Sequence, residues 1–112
     1  MTRTLFQKII DRELPADILY EDEEIICIKD KFPRAPVHIL LITKKAIPSI
    51  HEIEPQDYYL LGKIIGTAQE IATSLGVKDN YRLVTNRGPE AGQTIYHLHF
   101  HLMAGRNITK GE

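Results

Sequence analysis

Three histidines alternate with apolar residues in Tyr96-His97-Leu98-His99-Phe100-His101-Leu102. Successive side chains on a β-strand point to opposite faces, so on a strand His97, His99 and His101 share one face and Leu98, Phe100 and Leu102 the other. The imidazoles then recur about every 6.6 Å, a row able to contact one extended ligand. A fourth histidine, His38, falls in the β-rich run Val37 to Thr43 and reaches the same face if the two strands are neighbours. His51 sits in a linker and reads as incidental.

Three chemistries fit such a row. It can be an exposed surface stripe. It can hold zinc, since two histidines two apart on a strand can ligate one ion, with His38 or a carboxylate as third ligand. No acidic residue lies within the strand, however, and only Glu90 lies in the adjoining loop. It can also act on phosphorus: one neutral imidazole serves as nucleophile while another is a cationic clamp or proton donor. The loop before the strand supports that third reading. Gly92 lets the backbone come close, and amides around Gln93 and Thr94 can face anionic oxygens. The Thr94 hydroxyl and the Asn86 carboxamide can add bonds.

The elements that must position these groups are legible in the periodicity. Thr4 and Gln7 have capping-box spacing before Leu5, Phe6, Ile9 and Ile10, which predicts a helix over Thr4 to Arg12 that ends before Pro15. Asp17 to Tyr20 and Ile25 to Lys29 flank Glu21-Asp22-Glu23-Glu24 and predict a hairpin with a solvated acidic turn. Val37 to Thr43 predicts a central strand. Pro55 opens the main helix, whose buried face is read as Leu61, Ile64, Ile65, Ala68, Ile71, Ala72 and Leu75, with Gly76 as its stop. Tyr81 to Thr85 and Ile95 to Met103 predict the last two strands, and a polar tail follows from Gly105. Helix, hairpin, strand, helix and two strands describe an α+β fold with an antiparallel sheet.

The 112 residues suit a single domain spanning 1–112 with a core over about 4–106. Fourteen basic residues against fifteen acidic ones leave a net charge of −1, which argues against a long nucleic-acid footprint. The single cysteine, Cys27, precludes an intrachain disulfide and reads as buried filler in a cytoplasmic protein. The sequence has no apolar run of membrane-spanning length and no signal-peptide pattern.

His97-Leu98-His99-Phe100-His101-Leu102-Met103 resembles the signature of the histidine-triad superfamily. Phe6-Gln7-Lys8-Ile9-Ile10, Ala35-Pro36-Val37-His38, Tyr81 to Asn86 and Gly92-Gln93-Thr94-Ile95-Tyr96 are similar to its nucleotide-binding branch, so the likeness runs from Leu5 to Arg106. That resemblance implies a five-stranded antiparallel sheet with two helices, pairing through the long helix and a strand edge into a ten-stranded homodimer. It also implies a purine nucleotide ligand, no cofactor and no metal. His99 would attack the α-phosphorus of a nucleoside phosphoramidate and form a nucleotidyl-histidine. His101 would contact the phosphate and assist the leaving group, with His97 and His38 in support. Gly92, Gln93 and Thr94 would meet the phosphate, Asn86 the ribose-phosphate and Asp30 the ribose hydroxyls. Leu5, Phe6, Ile9, Ile28 and Leu40 would line the base. Lys31 stands where relatives tend to be apolar, and Ile28 where many are aromatic.

A sister branch that splits dinucleoside polyphosphates and a regulatory nucleotide-binding module are the alternatives. The transferase branch, with glutamine as third member of the triad, is disfavoured by His101.

Overall fold

The computed structural model describes residues 3–105, so the polar tail beyond Gly105 lies outside the described residues. Helix α1 spans Leu5–Ile10 and strands β1 and β2 span Ile18–Glu21 and Ile25–Lys29. Strand β3 covers Val37–Thr43, helix α2 Tyr59–Ser74, strand β4 Tyr81–Val84 and strand β5 His99–Ala104. The strands form one antiparallel sheet in the order β1-β2-β3-β5-β4. The α+β class, the five strands and the two helices are those anticipated.

The sheet's two faces carry different cores because the β period is two. Ile25, Cys27, Ile39, Leu41 and Leu102 pack against Ile64, Ala68, Ile71 and Ala72 of α2. On the opposite face Ile26, Ile28, Leu40 and Ile42 pack with Phe6 and Ile9 of α1. In the β3–β5 pairing His99 lies opposite Ile42 and His101 opposite Leu40. Cross-strand partners share a face, so these two histidines project on the α1 side. The Cys27 thiol is fully buried, and burial pushes its pKa up to about 12, which leaves it inert.

Four local expectations are corrected. Helix α1 is shorter than Thr4 to Arg12: Thr4 is its cap, with the full capping box to Gln7, and Arg12 beyond it has a φ of 63°. Pro55 opens a 3-10 turn to Asp57, and α2 starts only at Tyr59. The buried face of α2 is Leu60, Ile64, Thr67, Ala68, Ile71 and Ala72, whereas Ile65 and Leu75 are exposed. The acidic turn is also more than solvated. Asp22 Oδ1 accepts the amides of Glu24 and Ile25 at 2.7 and 2.8 Å, and Lys63 of α2 pairs with both Asp22 and Glu24. The turn therefore docks α2 onto the hairpin.

Candidate active site

Strand β5 begins at His99, so His97 is not on a strand as expected. Strand β3 ends at Thr43, whose amide donates to Leu98 O at 3.4 Å, so residues before Leu98 have no strand beside them. Leu98 instead donates its amide to Ile47 O, and the His97 amide closes a turn onto Ile95 O. His97 still projects toward α1, because its Nε2 lies 2.6 Å from Thr43 O and its Nδ1 3.4 Å from Thr4 Oγ1.

The hydrogen bonds fix which nitrogen of each ring carries the proton. A carbonyl oxygen only accepts. His97 therefore donates Nε2–H to Thr43 O, and His99 donates Nδ1–H to His97 O at 2.7 Å. The Nε2 of neutral His99 is left with a free lone pair. A second chain starts at the Arg34 amide, which donates to His38 Nδ1 at 3.0 Å. The His38 proton then sits on Nε2, 2.9 Å from His101 Nδ1, and His101 in turn carries its proton on Nε2. Two adjacent imidazoles, 5.1 Å apart between ring centres, thus present a lone pair and an N–H donor respectively.

Burial sets the charge. His38, His97, His99 and His101 are all at least nine-tenths buried. Desolvation lowers the pKa of each below the ordinary histidine value, and His101, also facing His99 and His38, is pushed down to about 4. All four rings are neutral at pH 7. The expected cationic clamp is therefore not present in the resting site, and the donor is a neutral imidazole N–H.

Asp30 stands at the edge of this row. Its Oδ1 accepts the Phe32 amide at 2.8 Å, and its Oδ2 lies 3.4 Å from His38 Nε2. Ligand atoms of Asp30, His38 and His101 all lie within 4.8 Å of one another, close enough to share a cation. Coordination through His38 Nε2 would move that ring's proton to Nδ1, against the Arg34 N–H. The donor set therefore suits a shared proton better than a metal.

In the loop, Gly88 and Gly92 have φ of 94° and 99°, conformations that favour glycine. The Gln93 amide is used internally, donating to Gly88 O at 2.9 Å. Its carboxamide accepts the Gly88 amide and donates to Pro48 O and Ile95 O. Gln93 is thus a brace, and it does not offer the anion-facing amide that was expected of it. The Thr94 amide and hydroxyl and the Asn86 carboxamide make no hydrogen bond among the described residues. A Cβ on Gly92 would lie 3.4 Å from Asn86 Nδ2, so that carboxamide rests directly on the glycine.

Of the five nominated base-lining residues, Leu5 is 48% exposed, while Phe6, Ile9, Ile28 and Leu40 are buried in one cluster. The sequence reading missed Thr4 as a partner of His97, although its capping-box spacing had already marked it. The Arg34 amide, a backbone group, left no side-chain signal.

The HIT domain family profile matches residues 11–108. An uncharacterized HIT-like protein of Synechocystis is 50% identical over 103 residues, 92% of this chain and 90% of that one. The purine nucleoside phosphoramidase of Escherichia coli is 41% identical over 106 residues, 94% of this chain and 89% of its own. A HIT family hydrolase from Clostridium thermocellum superposes with a TM-score of 0.93 at 45% identity, covering 99% of this chain and 97% of that one. The chain belongs to the HIT family.

Proposed function

We propose that the protein hydrolyses purine nucleoside phosphoramidates, with His99 Nε2 attacking the α-phosphorus. The observation that carries this reading is the opposed polarity of the adjacent rings, a lone pair at His99 and an N–H at His101, set by backbone groups on either side. The phosphoramidase relative from Escherichia coli adds support for the P–N bond as the one broken.

In this reading the P–N bond breaks as the His99–P bond forms. The amine leaves with one proton taken from solvent at the His101 Nε2 position. The nucleotidyl-His99 ring becomes cationic, and its Nδ1–H bond to His97 O strengthens as that charge develops. Water then attacks phosphorus, releases the monophosphate, returns one proton to solvent and restores the neutral ring. Thr94, Asn86 and the Gly92 backbone hold the phosphate oxygens. Asp30 takes the ribose hydroxyls, and the base lies against Leu5, which is 48% exposed. The outer face of α2, with exposed Tyr58, Tyr59 and Ile65 and open space at Gly62, is read as the homodimer contact.

The test is incubation with adenosine 5′-phosphoramidate in the presence of a chelator, following amine and monophosphate. Turnover by the wild type and its loss in His99→Ala supports the reading. Equal turnover by both rules out His99 as nucleophile.

A further inference from the structure

The structure assigns Phe6 and Thr4 of the α1 segment as positioning residues that hold the His97–His99 pair for attack. This rests on His99 being the nucleophile.

Phe6 is only 2% exposed, so it has almost no ring surface left to offer a base. Its ring packs in T-shaped geometry on two members of the triad instead. The ring centre is 4.9 Å from that of His99 at 73°, and 6.1 Å from that of His97 at 87°. Edge-to-face packing of this kind fixes ring orientation as well as position. Orientation matters here because a half-turn of the His99 ring exchanges Nε2 with a carbon and removes the lone pair from the site. The Nδ1–H bond to His97 O opposes that flip, and Phe6 fills the space it would need.

Thr4 acts on the other ring. Its Oγ1 accepts the Gln7 amide at 3.2 Å, which leaves the hydroxyl proton for His97 Nδ1 at 3.4 Å. The His97 Nε2–H is already committed to Thr43 O, so both nitrogens of that ring are held. His97 in turn supplies the carbonyl that anchors His99. Helix α1 and its cap, remote from β5 in sequence, therefore set the nucleophile's geometry through two residues two positions apart.

The experiment compares Phe6→Leu, Thr4→Gly and Thr4→Ser in the full chain. Glycine keeps most of the capping quality of threonine but has no hydroxyl. We expect Phe6→Leu to lower kcat by about 10-fold or more with the Kd for AMP within two-fold of wild type. Thr4→Gly lowers kcat several-fold, and Thr4→Ser restores it. The imidazole ¹⁵N spectrum reads the same geometry without any substrate: one fixed Nδ1–H tautomer for His99 in the wild type, and averaged ring signals in Phe6→Leu. An AMP affinity that falls while kcat is kept would make Phe6 a wall of the base pocket and overturn the proposal. So would Thr4→Gly turning over like Thr4→Ser, and these two variants leave the core intact should Phe6→Leu fail to fold. If the wild type does not cleave phosphoramidates, the functional reading fails, and the ring spectra alone decide this one.

Discussion

His38 Nε2 sits 2.9 Å from His101 Nδ1, and the proton between them belongs to His38 because the Arg34 amide occupies its other nitrogen. That one bond decides that His101 shows the site an N–H and not a lone pair. Replacing His38 by Leu frees His101 to adopt either tautomer. We expect kcat to fall about 10-fold and nucleotide affinity to stay near wild type, read by steady-state kinetics alongside AMP titration. A loss of AMP binding with unchanged kcat would contradict the relay.

His101 itself should matter in proportion to how poorly the amine leaves. General acid–base groups contribute on the order of 10²–10⁴-fold. His101→Ala is therefore expected to cost about 10²-fold or more with an alkylamine substrate and much less with a readily departing arylamine. Rates across a series of amines measure this, and a uniform loss across the series would argue against assistance to the leaving group.

Stability should weaken with acid in a defined window. The four triad-associated histidines have folded pKa values below the ordinary value, that of His101 about 4. Between about 4 and about 6.5 the unfolded chain binds protons that the folded sites refuse. Stability is therefore full above about pH 7 and falls as pH drops through that window. The His101 share amounts to about 3 kcal/mol. Denaturant unfolding at pH 7.5 and pH 5 tests this. His101→Leu should flatten the dependence, and an unchanged slope in that variant would refute the assignment.

Much of this was readable in the sequence. Strand β3 runs from Val37 to Thr43 as its apolar β-branched run indicates, and the Thr4–Gln7 capping box is present. The alternation of His99 and His101 placed them correctly because β5 pairs there with Ile42 and Leu40. His97 reached the same face for another reason, a turn tied to Ile47, since strand register extends only as far as the neighbouring strand. The α2 face was misread at its edges because Leu61, Ile65 and Leu75 fit a helical stripe as well as Leu60 does. Only the angle at which α2 meets the sheet chooses between them. Proton positions were out of reach, because they depend on backbone carbonyls and amides that carry no residue signature.

The loop glycine offers a backbone test. Gly92 has a φ of 99°, a conformation strained for any L side chain, although an alanine Cβ would only touch Asn86 at ordinary contact distance. Gly92→Ala should cost about 1–2 kcal/mol of stability from strain alone. By shifting the strained loop backbone beside Asn86 it should also raise KM several-fold, measured by thermal unfolding and kinetics. Full activity at an unaltered KM would remove Asn86 from the phosphate-binding set.

The dimer reading is tested at Ile65, which is 49% exposed on α2. Ile65→Arg places a charge at the centre of the proposed contact, and sedimentation velocity should then report a monomer where the wild type is a dimer. Two monomeric species, or two dimeric ones, would contradict the role given to that face.

In the proposed reaction His99 Nε2 becomes covalently bonded to phosphorus. Rapid mixing of wild type with a nucleoside phosphoramidate, quenched at alkaline pH and followed by peptide mass spectrometry, addresses it most directly. One nucleotidyl group is expected on the peptide containing His99, formed before steady state and absent in His99→Ala. Monophosphate produced at full rate with no adduct on that peptide, or an adduct mapped to His97 or His101, would contradict it.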